Sequence, residues 1–133
     1  MAKQFTLGKN ERLKSRKLIE QLFSEGKSFV IHPFKVFYLL DTSGGEKYPA
    51  LQFGVGAGTK NFKKAVDRNR IKRITREAYR LQKLSLQKKV EVKRVVLNVF
   101  FIYITRALPV YNDVYIKVNL IFDRLNKIVD EIK

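Results

Sequence analysis

The sequence predicts an α+β fold in a single domain, an α/β sandwich of helices packed on a small mixed sheet. Three observations carry that expectation. Runs of β-branched and aromatic residues around 28–40, 51–55 and 95–104 read as strands. Segments near 14–25, 62–84 and 113–132 repeat apolar residues at helical spacing. The chain has 133 residues, 45% of them apolar, the size of one ordinary domain, which buries roughly two-thirds of its unfolded surface. Residues 1–133 are accordingly taken as one domain, with the polar stretch 1–12 as a flexible basic arm.

The first helix is expected over 14–25, where Leu18, Ile19, Leu22 and Phe23 make one apolar stripe. Ser15 is placed to cap its start, and Gly26 stands where a helix-ending glycine belongs. SFVIHPFKVFYLL, residues 28–40, reads as strand, and Pro33 inside it implies an edge, a bulge or a division into two strands. DTSGGEKYP is a loop. Leu51, Phe53 and Val55 alternate with Gln52, Gly54 and Gly56, which gives a further strand with one buried face. A long helix follows over 62–84. VVLNVFFIYI, 95–104, is apolar except for Asn98, as a strand covered on both faces would be. After the loop TRALPVYND, Val114, Val118, Ile121, Phe122, Leu125, Ile128 and Val129 share one face of a final helix, 113–132. The order is α-β-β-α-β-α, or α-β-β-β-α-β-α if Pro33 divides the first strand.

Charge narrows the function. Lys and Arg number 28 against 12 Asp and Glu, a formal net charge of +16. Such self-repulsion suits a polyanionic partner, with nucleic acid first and an anionic membrane second. There is no cysteine and one histidine, His32, which excludes disulfides and thiolate metal sites. No run reaches the roughly 18 apolar residues of a membrane span. The N-terminal stretch lacks the apolar core of a secretory signal, so a cytoplasmic location with no membrane partner is expected. No acidic or histidine cluster with metal spacing occurs, and no metal site within the protein is expected. His32 lacks an evident acid partner and reads as structural. FGVGAGTKNF resembles a nucleotide loop only superficially: Thr59 and Asn61 stand where a phosphate-binding loop requires glycine and a hydroxyl residue.

The charge concentrates in AVDRNRIKRITREAYR, residues 65–80. At 100° per residue Ile71, Ile74, Ala78 and Leu81 fall within about 80° and are expected to face the sheet. Arg68, Asn69, Lys72, Arg73, Arg76, Tyr79, Arg80 and Lys83 span about 140° on the other side, with no acid among them. Arg68/Lys72, Lys72/Arg76 and Arg76/Arg80 are like-charged i, i+4 pairs, each destabilising by a few tenths of a kcal/mol. A phosphate backbone lying along the helix reverses that sign. Arginine predominates, suited to bidentate phosphate contacts, and neutralising about six phosphates would give a salt slope of roughly −4 to −5. The face is therefore read as binding RNA or DNA.

RNRIKRITREAYR at 68–80 resembles the signature helix of the protein subunit of bacterial ribonuclease P. Arg68, Asn69, Arg70, Lys72, Arg73, Arg76 and Glu77 fall in register with it. ERLKSRKLIEQLFSEGKSF resembles the family's first helix and the glycine after it. The resemblance implies the order α-β-β-β-α-β-α, with the first two strands divided at Pro33 and an uncommon left-handed crossover between parallel strands, against the usual preference. It implies a non-catalytic protein subunit of an endoribonuclease that removes the 5′ leader of precursor tRNA, with catalysis and most of the Mg2+ held by an RNA subunit. The partners it implies are that catalytic RNA and the precursor tRNA, with one protein monomer per RNA. Arg68, Asn69, Arg70, Lys72, Arg73, Arg76 and Arg80, with Lys60, Lys63 and Lys64, would then bind the RNA. Arg12, Ile19, Phe23, Phe34, Lys35 and Phe37 would line a cleft for the single-stranded leader. Ile19 stands where the family usually has an aromatic ring, which weakens stacking there. Composition alone equally allows a ribosomal or ribosome-assembly protein that binds RNA through the same helix.

Overall fold

The computed structural model describes residues 12–42 and 50–131. Its elements are α1 (Arg16–Glu25), β1 (Lys27–Ile31), β2 (Phe34–Asp41), β3 (Leu51–Ala57), α2 (Ala65–Gln82), α3 (Leu84–Lys93), β4 (Val96–Tyr103) and α4 (Tyr111–Asp130). The arm expected over 1–12 lies outside the described residues except for Arg12. So does most of the loop expected after β2.

Local signals set the ends of α1. The Ser15 side chain accepts from the Leu18 amide at 3.4 Å, and the Gly26 amide donates to the Leu22 carbonyl at 2.9 Å. Gly26 has a negative φ of −73°, so the left-handed region is not what requires glycine. A Cβ there would collide with the Leu22 carbonyl and lie 2.8 Å from the Tyr38 carbonyl. Close approach of α1 to β2 is the reason for the glycine.

Pro33 divides the first apolar run as expected. Ile31 pairs with Phe34 across a two-residue turn, His32–Pro33, whose peptide bond is cis. The sheet order is β1-β2-β4-β3. β2 pairs antiparallel with β1 and β4, whereas β3 runs parallel to β4, so the sheet is mixed. A parallel neighbour demands a crossover, and α2 and α3 supply it.

Period 2 along each strand separates the two faces. Phe34, Val36, Phe53, Val55, Leu97, Val99 and Phe101 face one way, into a core closed by Ile71, Ala78 and Tyr79 of α2, Leu86 and Val90 of α3, and the α4 stripe from Val114 to Val129. The opposite face carries Lys35, Phe37, Gly54, Gly56, Phe100 and Ile102 and is covered only in part, by α1.

Two features of the helices depart from the sequence expectation, and β4, expected to be covered on both faces, is fully covered on one only. The long helix ends at Gln82, and a separate α3 begins one residue later, after Lys83. Leu86 and Val90, one turn apart, are the buried pair of α3, while Leu84 and Val92 fall on other sides, so the apolar stripe is only two residues long. Arg94 ends this helix at φ 56°, where glycine is the usual stop.

The second departure is a rotation of α2 about its axis. Tyr79, expected among the cations, is buried and stacks on Phe53 with ring centroids 3.9 Å apart. Lys83, also expected among them, is 1% exposed, while Leu81, expected at the sheet, is 40% exposed. The buried face centres on Ile71, Thr75, Ala78 and Tyr79. An aromatic ring reaches further than its angular position suggests, and the Phe53 ring is there to receive it.

Candidate nucleic-acid interface

The rotation reassigns the cations of α2. Arg68 moves toward the buried side. Its Nη1 donates to the carbonyls of Phe62 and Lys63 at 2.8 and 2.9 Å, so it clamps the segment that carries Lys60, Lys63 and Lys64. Those three lysines are exposed beside the first turn of α2. Arg80 makes a two-pronged pair with Glu77, Nη2–Oε1 at 2.5 Å and Nε–Oε2 at 3.1 Å. Hydrogen bonding to Arg80 holds the Glu77 carboxyl below its ordinary range.

Between these two engaged arginines lie Asn69, Arg70, Lys72 and Arg73. Asn69, Arg70 and Arg73 are exposed and Lys72 is half-buried. Among the described residues none of the four makes a side-chain hydrogen bond or ion pair within the protein. These side chains have their donors turned to solvent. Arg76 is half-buried, and burial first, then the charge of Arg12, pushes its guanidinium down from the usual value. Arg12 pairs with Phe53 along the outer edge of β3, and Leu13 donates to the Phe53 carbonyl at 2.8 Å. The segment before α1 thus runs between the cationic helix and the open face of the sheet.

That open face is aromatic. Phe23 of α1 meets Phe37 at 4.9 Å and the edge of Phe100 at 5.4 Å, centroid to centroid. The Lys35 ammonium lies 5.1 Å from the centre of the Phe37 ring. Phe23 is 43% exposed, Ile19 is half-buried one turn earlier, and Phe37 and Phe100 are half-buried. The face offers flat apolar rings beside an ammonium group, which suits unpaired bases joined by phosphates.

Of the residues expected in this cleft, Arg12, Ile19, Phe23, Lys35 and Phe37 border it. Phe34 does not. It is fully buried on the helical side, packed against Phe101 and Tyr103. Alternation along β2 puts Phe34 and Phe37 on opposite faces, and a register one residue uncertain around Pro33 does not tell which of the two faces the cleft.

Phe100 was not expected there, and the signal for it lay in the glycines. Gly54 pairs with Phe100 and Gly56 with Ile102 across β3 and β4. A Cβ on Gly54 would stand 2.6 Å from the Phe100 ring, and one on Gly56 3.2 Å. The two glycines leave room for the ring to lie over β3. Gly54→Ala is therefore expected to destabilise the protein by about 1–3 kcal/mol through overpacking and to displace Phe100, read by thermal unfolding and by the Phe100 ring resonances. An unchanged melting temperature and unchanged resonances would remove this reading of the glycines.

Among the described residues there is no group of three or more histidines and acids that could hold a metal ion. No helix there is long and apolar enough to cross a membrane.

The family model for ribonuclease P matches residues 7–107. A ribonuclease P protein component of Porphyromonas gingivalis is 37% identical over 110 residues, 83% of this chain and 79% of that protein. One from Chlorobium phaeobacteroides is 42% identical over 82 residues, 61% of this chain and 56% of its own length. In fold, the chain is similar to the ribonuclease P protein of Staphylococcus aureus, with a TM-score of 0.66 at 17% identity, covering 86% of this chain and 94% of that one.

Proposed function

The chain belongs to the ribonuclease P protein family, and on that premise we propose how its two surfaces serve the removal of the 5′ leader from precursor tRNA. The α2 surface binds the RNA subunit, which carries out the phosphodiester hydrolysis. Asn69, Arg70, Lys72, Arg73 and Arg76 meet its phosphates, with Lys60, Lys63 and Lys64 extending the contact at one end. Arg68 holds the lysine segment in place, and Arg80 reaches RNA from its pair with Glu77. Mg2+, which supplies Lewis-acid chemistry when bound, is held mainly by the RNA. One protein joins one RNA.

The aromatic face takes the single-stranded leader. Phe23, Phe37 and Phe100 offer rings to its bases, and Lys35 and Arg12 offer charge to its phosphates. Arg12 lies between leader and RNA subunit, so the protein bridges substrate and catalyst. The observation that carries this reading is that Arg70, Lys72 and Arg73 of α2 find no partner among the described residues. In a free protein these like charges are a cost, and against RNA they are a binding surface.

The test is 5′ processing of a precursor tRNA by a bacterial ribonuclease P RNA at low Mg2+, with and without this protein. Cleavage at the mature 5′ end is expected only when both are present. Binding of the protein to RNA with no change in cleavage would instead favour a ribosomal type of RNA contact.

A further inference from the structure

The surface that carries the cations of α2 continues past Arg80 onto α4. The first turns of α4 lie against the end of α2. Gln82 Nε2 donates to the Tyr115 carbonyl at 3.1 Å, and Asn119 Nδ2 donates to Gln82 Oε1 at 3.0 Å. This junction sets Tyr111 and Tyr115, one helical turn apart, beside the Glu77–Arg80 pair. Tyr111 is near enough to both charges to feel them. The two rings have centroids 6.2 Å apart with planes inclined at 38°. Tyr115 is 38% exposed and Tyr111 half-buried. Both belong to α4, whose core stripe begins at Val114 and runs through Val118 and Ile121. Neither tyrosine is needed to fill that core.

We propose that Tyr111 and Tyr115 form a stacking platform for one or two unpaired bases of the RNA that α2 binds, continuing that interface onto α4. The inference rests on the RNA-binding reading of α2. Continuity argues for RNA as the occupant: the platform adjoins Arg80, and Arg73 lies about two turns back along the same helix. Charge argues for a base rather than a phosphate at this point. Glu77 and Arg80 neutralise each other as a unit, so the surface beside the tyrosines is locally uncharged, while the neighbouring phosphates find Arg73 and Arg76. A tyrosine ring presents a face that any base can stack on, so the contact is tolerant of sequence.

The experiment measures binding of a bacterial ribonuclease P RNA to the whole protein and to Tyr115→Ala, Tyr111→Ala and the Tyr→Phe changes at both positions. Stacking is worth about 1–3 kcal/mol per base, so each alanine variant is expected to bind some 5- to 150-fold more weakly. The phenylalanine variants keep the ring and are expected to bind as the parent does. The salt slope is expected to stay the same in all four, because every phosphate keeps its cation. Circular dichroism separates a folding defect from a binding one. Alanine variants that fold and bind as tightly as the parent would overturn the platform while leaving the α2 reading intact. A parent protein that fails to bind the RNA overturns that reading itself. Concentration-dependent self-association in sedimentation, abolished by the alanine changes without loss of RNA affinity, would assign the patch to a second copy of the chain and overturn the proposal.

Discussion

Tyr79→Ala is expected to lower stability by about 3–5 kcal/mol, the cost of removing a buried aromatic ring from a core. For a domain of this size that corresponds to a fall in melting temperature of roughly 10–20 °C. The ring is 1% exposed, stacks on Phe53 and approaches Phe122 at 5.4 Å. It joins the sheet to both α2 and α4, so no neighbour can collapse into its place without moving a second element. Tyr79→Phe keeps the ring and is expected to lose less than about 1.5 kcal/mol. The measurement also tests the orientation of α2. Were Tyr79 on the cationic side, its alanine variant would melt like the parent and bind RNA less well.

The second large effect is on binding. The triple change of Arg70, Lys72 and Arg73 to alanine removes three cations that no other described residue engages. Fold and melting temperature are expected to be unchanged, or slightly improved as like charges are removed. Affinity for ribonuclease P RNA is expected to fall about tenfold for each phosphate left without its cation, from the typical strength of a charged hydrogen bond. The slope of log K against log salt should become shallower by about 2–3. A triple variant with parental affinity and slope would mean that the RNA lies elsewhere on the protein.

These two experiments address the core contacts and the cations of one helix, and its sequence is more informative about the cations than about the core contacts. The like-charged i, i+4 series from Arg68 to Arg80 is local, and such spacing is visible without any knowledge of neighbours. Which apolar residues meet the sheet is different. Ile74, Ala78 and Leu81 make as good a stripe by angle as Ala78, Thr75 and Tyr79 do. The choice between them depends on the Phe53 ring across the interface and on where α4 crosses.

The same distinction holds elsewhere. Ser15 and Pro33 mark their boundaries because caps and turns depend on a few adjacent residues, whereas Gly26 marks one for a tertiary reason, the close approach of β2. Alternation in β3 and the stripe of α4 give their buried faces directly. The separate α3 is not legible in the sequence because its buried stripe is only Leu86 and Val90, with Leu84 and Val92 off it, and its end falls on Arg94 instead of glycine. Phe34, three residues from Phe37, cannot share its face in a regular strand, and which of the two lines the cleft depends on how the strand is set around Pro33.

What the chain alone determined, then, is most of the elements, the excess of positive charge and its concentration on one helix, since each depends on spacing within a turn or along a strand. The tertiary structure decided the rest. The β3–β4 register brought Phe100 over Gly54 and opened an aromatic face. Stacking on Phe53 turned α2 so that Arg68 became a clamp and Arg70 and Arg73 faced outward. The packing of α4 against the end of α2 set two tyrosines beside Arg80. Each of these joins residues from different elements, and only the closing of a shared core brings them within reach.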